Sequence, residues 1–301
     1  MKVVVIGYGV QGKKRKRIAG DDCIGVVDPV SPDANWKNLD EVPFNSFDAA
    51  LVCVPDGAKL EILQKLLSAG KHVLVEKPLL GTTEELQGLE DLSEKTEAIC
   101  YTAYNHRFEP HMVRVKNEID SGWLGKIYSV RFFYGNGTAR DVRDSLWRDQ
   151  GWGVLGDLGS HLLDWTQFLF PQKQWVSKFI AGYCHENKAW DHTIFHLEGD
   201  VAIQYEMMML SWRNTFRFDL FAEKGSLHID CLCKWGPSIF TKRERVLPSG
   251  RPKETQEVLE CADPTWEAEY KHFQAICQKP PEDLSTDRWI YSTLEKLAKG
   301  N

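Results

Sequence analysis

A chain of 301 residues with 43% apolar and 27% charged side chains has the composition of a globular protein and the length for two domains. Its net charge of −6 argues against nucleic acid or an anionic membrane surface as a partner, and no stretch approaches the roughly 18 uninterrupted apolar residues of a membrane span. Eight cysteines are scattered without a C-x-x-C pair, so no disulfide framework is expected and a reducing, cytoplasmic setting is.

The opening stretch, MKVVVIGYGV, has no charged leader followed by a long apolar core and a cleavage site, and it reads as mature sequence. Through the first hundred residues, KVVVIG, CIGVVD, AALVCVP, HVLVEKP and AICYTAY are short runs with few charges inside. Such runs suit strands buried on both faces of a parallel sheet. Between them, AKLEILQKLLSAG has helical spacing and ends in Gly70, a C-cap, while TTEELQGLEDLSEK pairs Thr82 with Glu85 in a capping box. This alternation predicts a doubly wound α/β Rossmann domain over residues 1–103.

Beyond that point the period falls to two. KIYSVRFFYG, TIFHLEG, VAIQYEMMML, TFRFDLFAE and GSLHIDC alternate apolar with polar residues, Phe216, Phe218 and Leu220 against Arg217 and Asp219. Residues 104–301 are therefore expected to form an α+β domain with an open, mainly antiparallel sheet whose second face is solvated or covered by a partner. The last helix, about 285–299, is expected to pack back on the first domain.

The first strand runs directly into Gly7, Gly9 and Gly12 at G-x-G-x-x-G spacing, with a helix to follow. In that context Gly7 permits the turn, Gly9 lets the backbone approach a pyrophosphate, and Gly12 lets helix and strand pack closely. The phosphates would meet the helix N-terminus, where N–H groups and the dipole favour anions. Asp28 closes the second strand about 20 residues further on, where a carboxylate binds ribose hydroxyls and repels a 2′-phosphate. NAD is thus preferred, with NADP as the alternative. The run KKRKR at 13–17 reads as a charged helix surface.

The fourth strand ends in VEKP, residues 75–78, which places Lys77 in the crevice outside the carboxyl ends of the strands. A helix from about Asp157 would put Asp157, His161 and Asp164 on one face, and a histidine flanked by a carboxylate is equipment for moving a hydroxyl proton. DHTIFH sets His192 and His196 four apart, but the stretch reads as a strand and no metal is expected. Trp190 and Trp212 read as core or interface residues.

With these motifs the chain resembles the glucose–fructose oxidoreductase/inositol dehydrogenase (Gfo/Idh/MocA) family. The resemblance runs through GYGVQG (7–12), VPD (54–56), VEKPL (75–79), YNHRF (104–108), LGKIYSV (124–130), WR (147–148) and GDLGSHLLD (156–164). It implies NAD(P)-dependent hydride transfer at a hydroxyl or ketone carbon of a sugar, cyclitol or nucleotide sugar, without a metal. It also implies a homodimer or homotetramer joined through the C-terminal sheet. Carried over, Lys77, Asp157 and His161 are the catalytic group, and either Lys77 or His161 is the base. Gly7, Gly9, Val10, Gln11, Gly12, Asp28, Val54, Pro55, Glu76, Lys77, Asn105, Trp147 and Arg148 are the cofactor-binding positions. The substrate would meet Lys77, Arg107, Arg148, Asp157 and His161. Arg107 and Arg148 read equally well as ion pairs. One position departs from the pattern: Lys59 stands where many members carry histidine. The competing readings are an NADPH-dependent ketosugar or carbonyl reductase, and a cofactor-binding sensor without chemistry, which would not need Lys77, Asp157 and His161 together.

Overall fold

The computed structural model describes residues 1–145, 148–171 and 174–300. Its helices are α1 (Val10–Ala19), α2 (Asp56–Ser68), α3 (Thr83–Thr96), α4 (Pro110–Asp120), α5 (Ala139–Arg143), α6 (Ser160–Leu169), α7 (Thr265–Ile276) and α8 (Ser285–Ala298). Its strands are β1 (Val3–Ile6), β2 (Cys23–Val27), β3 (Ala49–Val52), β4 (His72–Glu76), β5 (Cys100–Ala103), β6 (Ile127–Gly135), β7 (Val176–Tyr183), β8 (His192–Glu198), β9 (Ala202–Met208), β10 (Thr215–Ala222), β11 (Gly225–Asp230), β12 (Ser238–Val246) and β13 (Gly250–Leu259). They fall into two compact units, Met1–Asn105 with Trp266–Ser292, and His106–Thr265 with the chain from Thr293 onward.

In the first unit the sheet order is β2-β1-β3-β4-β5, with every neighbouring pair parallel. Successive strand residues point to opposite faces, and both faces are apolar. Val4, Ile6 and Val52 meet leucines of α2 and α3 on one side. On the other, Val3, Val5 and Leu51 meet Tyr270, Phe273 and Ile276 of α7. The chain thus returns to this unit with α7, which the second face of the sheet needs to cover it, and with the first part of α8, whose residues from Thr293 belong to the second unit.

The local signals behave as their chemistry requires. Thr82 and Glu85 exchange the two hydrogen bonds of a capping box. At the end of α2, Gly70 (φ +68°) takes the left-handed conformation while the N–H groups of Gly70 and Lys71 donate to Leu67 and Leu66 carbonyls.

The second unit holds an eight-stranded sheet, β13-β12-β11-β10-β6-β9-β8-β7, in which β6 and β9 are parallel and the other pairs antiparallel. Trp165 of α6 packs on its covered face, 4.9 Å from Phe216 and 6.2 Å from Phe132 between ring centroids. On the open face Arg131, Phe133, Gln204, Glu206, Arg217 and Asp219 line a shallow depression. β13 has no apolar face at all, being exposed along almost its whole length, so alternation does not reveal it.

Candidate active site

A sheet ordered 2-1-3-4-5 has its topological switch point between β1 and β3, where ligands of open α/β sheets bind. Gly7 follows β1 there and Val54 and Pro55 follow β3. Gly7 has φ +89°, and a Cβ on it would lie 2.5 Å from the Cys53 carbonyl oxygen. A Cβ on Gly12 would lie 1.9 Å from the Gly7 carbonyl oxygen. Gly9, by contrast, has nothing within 4 Å on that side and sits at the N-cap of α1, where no side chain caps the helix. Val10 and Gln11, the first helical residues, are exposed. The loop is packed tightly against its own backbone and open outward at an uncapped helix N-terminus, which is the form a dinucleotide pyrophosphate requires.

Asp28 is tied into this loop. Its Oδ2 accepts from Tyr8 N–H at 2.7 Å, and Oδ1 accepts from Val30 N–H at 2.9 Å and Ser31 N–H at 2.7 Å. Partial burial works against the charge, but the three N–H groups, with Lys37 nearby, outweigh it and hold the carboxyl below its usual range. Three of about four acceptor positions are occupied, so Asp28 braces the glycine loop as well as offering a carboxylate.

The basic run on α1 is not uniformly a surface. Arg15 is 1% exposed, donates to Glu76 at 2.7 Å, pairs with Glu269 at 2.6 Å and lies over the Trp266 ring at 4.4 Å. Burial acts against its charge, yet Glu76 and Glu269 hold the guanidinium ionised. The side chain of Glu76, expected among the cofactor contacts, is therefore engaged with Arg15. Lys77 follows, half-buried at the carboxyl end of β4, and its peptide bond to Pro78 is cis. Lys59 is buried beneath this turn, donating to the Glu76 carbonyl at 2.6 Å, the Pro78 carbonyl at 2.7 Å and the Asp56 carboxylate at 2.6 Å. Asn105 is buried just past β5.

In the second unit Asp157 does not start a regular helix. It lies in a wider π-helical turn, Leu155–Gly159, that leads into α6, so the even spacing expected for Asp157, His161 and Asp164 is broken at its first member. Such turns frequently occur at functional sites. Asp157 pairs loosely with Arg148 at 3.7 Å, both partly exposed. Asp164 is buried and takes both Nε (2.9 Å) and Nη2 (2.5 Å) of Arg107. Burial pushes the Asp164 carboxyl up and the guanidinium pulls it back. Of the two readings of Arg107, an ion pair is what this side of the guanidinium makes, with the carboxylate buried and the arginine partly exposed. Trp147 lies outside the described residues.

His161 stacks on His106, with ring centroids 4.0 Å apart, and His106 stacks in turn on Trp165 at 5.4 Å. Lys234 Nζ is 3.1 Å from His106 Nε2 and 3.4 Å from Asp263. An ammonium only donates, so Nε2 is the acceptor in this contact. His192 and His196 sit on β8, where His192 meets Glu206 at 3.1 Å. Trp190 stacks on Phe179 at 5.0 Å, whereas Trp212 is 73% exposed. Lys59 stood out in the sequence only as a departure from the family pattern, and Arg15, His106 and Lys234 were not singled out as site residues. No local pattern marks these last three, because Arg15 and Glu76 are 61 positions apart and His106 and Lys234 are 128 apart.

Comparison with known proteins gives two family matches. Residues 1–104 match the oxidoreductase family with an NAD-binding Rossmann fold, and residues 112–228 match the GFO/IDH/MocA C-terminal domain. Levoglucosan dehydrogenase of Pseudarthrobacter phenanthrenivorans is 28% identical over 158 residues, which is 51% of this chain and 40% of that protein. Glucose-6-phosphate 3-dehydrogenase of Bacillus subtilis is 25% identical over 202 residues, 65% of this chain and 56% of that protein. The chain therefore aligns with between two fifths and three fifths of the length of these relatives. A solved structure of levoglucosan dehydrogenase in complex with NADH is similar with a TM-score of 0.83 at 17% identity, covering 100% of this chain and 98% of that one. At that identity the likeness is one of fold.

Proposed function

The chain belongs to the Gfo/Idh/MocA oxidoreductases, and on that footing we propose that it transfers hydride between a nicotinamide dinucleotide and a hydroxyl or ketone carbon of a sugar, cyclitol or nucleotide sugar. The observation that carries this reading is the glycine loop, closed against its own backbone at Gly7 and Gly12 and open at Gly9. Gly7, Gly9, Val10, Gln11 and Gly12 would hold the pyrophosphate, Asp28 the ribose, and Val54, Pro55, Lys77, Asn105 and Arg148 the remainder. When bound, the dinucleotide supplies the two-electron hydride acceptor or donor.

His161 takes the hydroxyl proton during oxidation, its ring plane set by the stack on His106 and Trp165. Lys77 hydrogen-bonds the reacting oxygen and stabilises its developing negative charge. Asp157, loosely paired with Arg148, orients the substrate. NAD is preferred because Asp28 stays ionised and would repel a 2′-phosphate. Lys13 and Lys16, 5.7 and 5.3 Å from the Tyr8 ring, are the feature that favours the NADP alternative. The protein works in the cytoplasm, consistent with eight unpaired cysteines, and self-associates through the open face of the large sheet.

The test is a spectrophotometric panel of free sugars, inositols, sugar phosphates and nucleotide sugars with NAD or NADP, run beside Lys77→Met. Wild type is expected to reduce the nicotinamide faster with NAD. Lys77→Met should lose about 10²–10³-fold in kcat with NADH affinity retained. Unchanged turnover in Lys77→Met removes the lysine from the mechanism. Tight NADH binding with no turnover across the panel favours a reductase of a carbonyl substrate outside the panel, or the sensor.

A further inference from the structure

We propose that Lys59 is a positioning residue for Lys77, pinning the main chain on both sides of it. The inference rests on the reading of Lys77 as a catalytic group. An ammonium has three donors, and Lys59 directs them at the carbonyl oxygens of Glu76 (2.6 Å) and Pro78 (2.7 Å) and the carboxylate of Asp56 (2.6 Å). The two carbonyls belong to the residues immediately before and after Lys77. One buried cation therefore determines where the Lys77 Cα sits and in which direction its side chain leaves the strand.

A lysine in this position is otherwise difficult to account for. It is 2% exposed, and burial pulls its ammonium down from the usual lysine range while Asp56 counters. A buried charge carries a desolvation cost that packing alone does not offset. An apolar side chain would fill the same space but give up the hydrogen bonds that both carbonyls accept from the ammonium.

The other support of the turn is Arg15, which grips the Glu76 side chain at 2.7 Å and is backed by Glu269 at 2.6 Å. Side chain and main chain of the residue before Lys77 are thus anchored by different cations on different helices, α1 and α2. Neither cation is at the reacting atoms by this assignment. Their contribution is geometric, and small displacements at a reacting centre are expensive: about 1 Å of misplacement costs on the order of 10²-fold in rate.

The experiment compares wild type, Lys59→Met, Lys59→Arg and Lys77→Met with the sugar that wild type turns over in the panel, together with NADH titration. Lys59→Met is expected to lower kcat about 10–100-fold while NADH affinity stays within about 2-fold. Lys59→Arg, which keeps a cation and its donors, should recover most of the loss, whereas a defect of packing alone would be no better in the arginine variant. A second measurement needs no substrate: limited acetylation with acetic anhydride, read lysine by lysine by mass spectrometry. In Lys59→Met the Lys77 rate should move well outside the spread of exposed lysines such as Lys178 and Lys253. Lys59→Met with wild-type kcat, or with reduced kcat but an unaltered Lys77 rate, overturns the proposal. If Lys77→Met itself remains active, the catalytic reading of Lys77 fails first, and the acetylation result still decides whether Lys59 positions it.

Discussion

Gly9 and Gly12 are three residues apart and face opposite constraints. A Cβ on Gly12 would meet the Gly7 carbonyl oxygen at 1.9 Å, so backbone must move to admit it, whereas a Cβ on Gly9 meets nothing within 4 Å. Gly12→Ala should therefore lose both stability, by about 1–3 kcal/mol, and dinucleotide binding. Gly9→Ala, at φ −72° where any residue is comfortable, should unfold within about 0.5 kcal/mol of wild type and still lose dinucleotide affinity. Denaturant titration and NADH fluorescence separate the two. Equal affinity in Gly9→Ala and wild type would show that no phosphate approaches there. The same scale explains Asp28: its carboxylate serves the glycine loop through Tyr8 N–H, a contact invisible in a motif that assigns the residue to ribose alone.

Elements are held in register by a few buried charged contacts. Glu90 of α3 accepts from Leu284 N–H at 2.7 Å and from Arg288 of α8 at 2.5 Å, docking the returning chain on the first unit. Burial opposes the charge on Glu90, but Arg288, Leu284 and Gln87 overcome it and hold the carboxyl below its usual range. A depressed folded value means a contribution present above the unfolded value, about 4.3, and lost as pH falls through the folded one. Glu90→Gln should cost about 1 kcal/mol at neutral pH, since the pair is partly screened by solvent. The difference from wild type should close below about pH 4. A gap that stays constant into strong acid would assign the loss to packing. At this scale the capping box and the Gly70 terminus were legible in the sequence, because each is a contact between near neighbours. The π-helical turn at Asp157 was not, since nothing in GDLGSHLLD distinguishes one extra residue per turn.

For the whole molecule, the open face of the eight-stranded sheet combines the exposed Phe221 with the charges of Arg131, Arg217, Glu206 and Asp219. Apolar groups among paired charges suit a self-complementary surface. Phe221→Glu is expected to weaken self-association by at least about 10-fold, read by light scattering across a dilution series, with the fold intact by circular dichroism. A wild-type monomer at high concentration would dispose of the interface outright.

The sequence by itself determined the two rhythms of the chain, five doubly buried strands and then period-two alternation, because burial dictates residue type strand by strand. It determined the glycine loop for the same reason: backbone approach excludes side chains wherever the chain leads. It also placed Lys77 at a strand end. Only the tertiary structure decided that Arg15 leaves the basic surface for Glu76 and Glu269, that Lys59 supports the turn around Lys77, and that Lys234 meets His106 beside His161. Each of these is a charged side chain whose contacts include a partner remote in sequence or a backbone carbonyl. A carbonyl has no residue identity, and a remote partner leaves no periodicity, so neither can be read before the chain is folded.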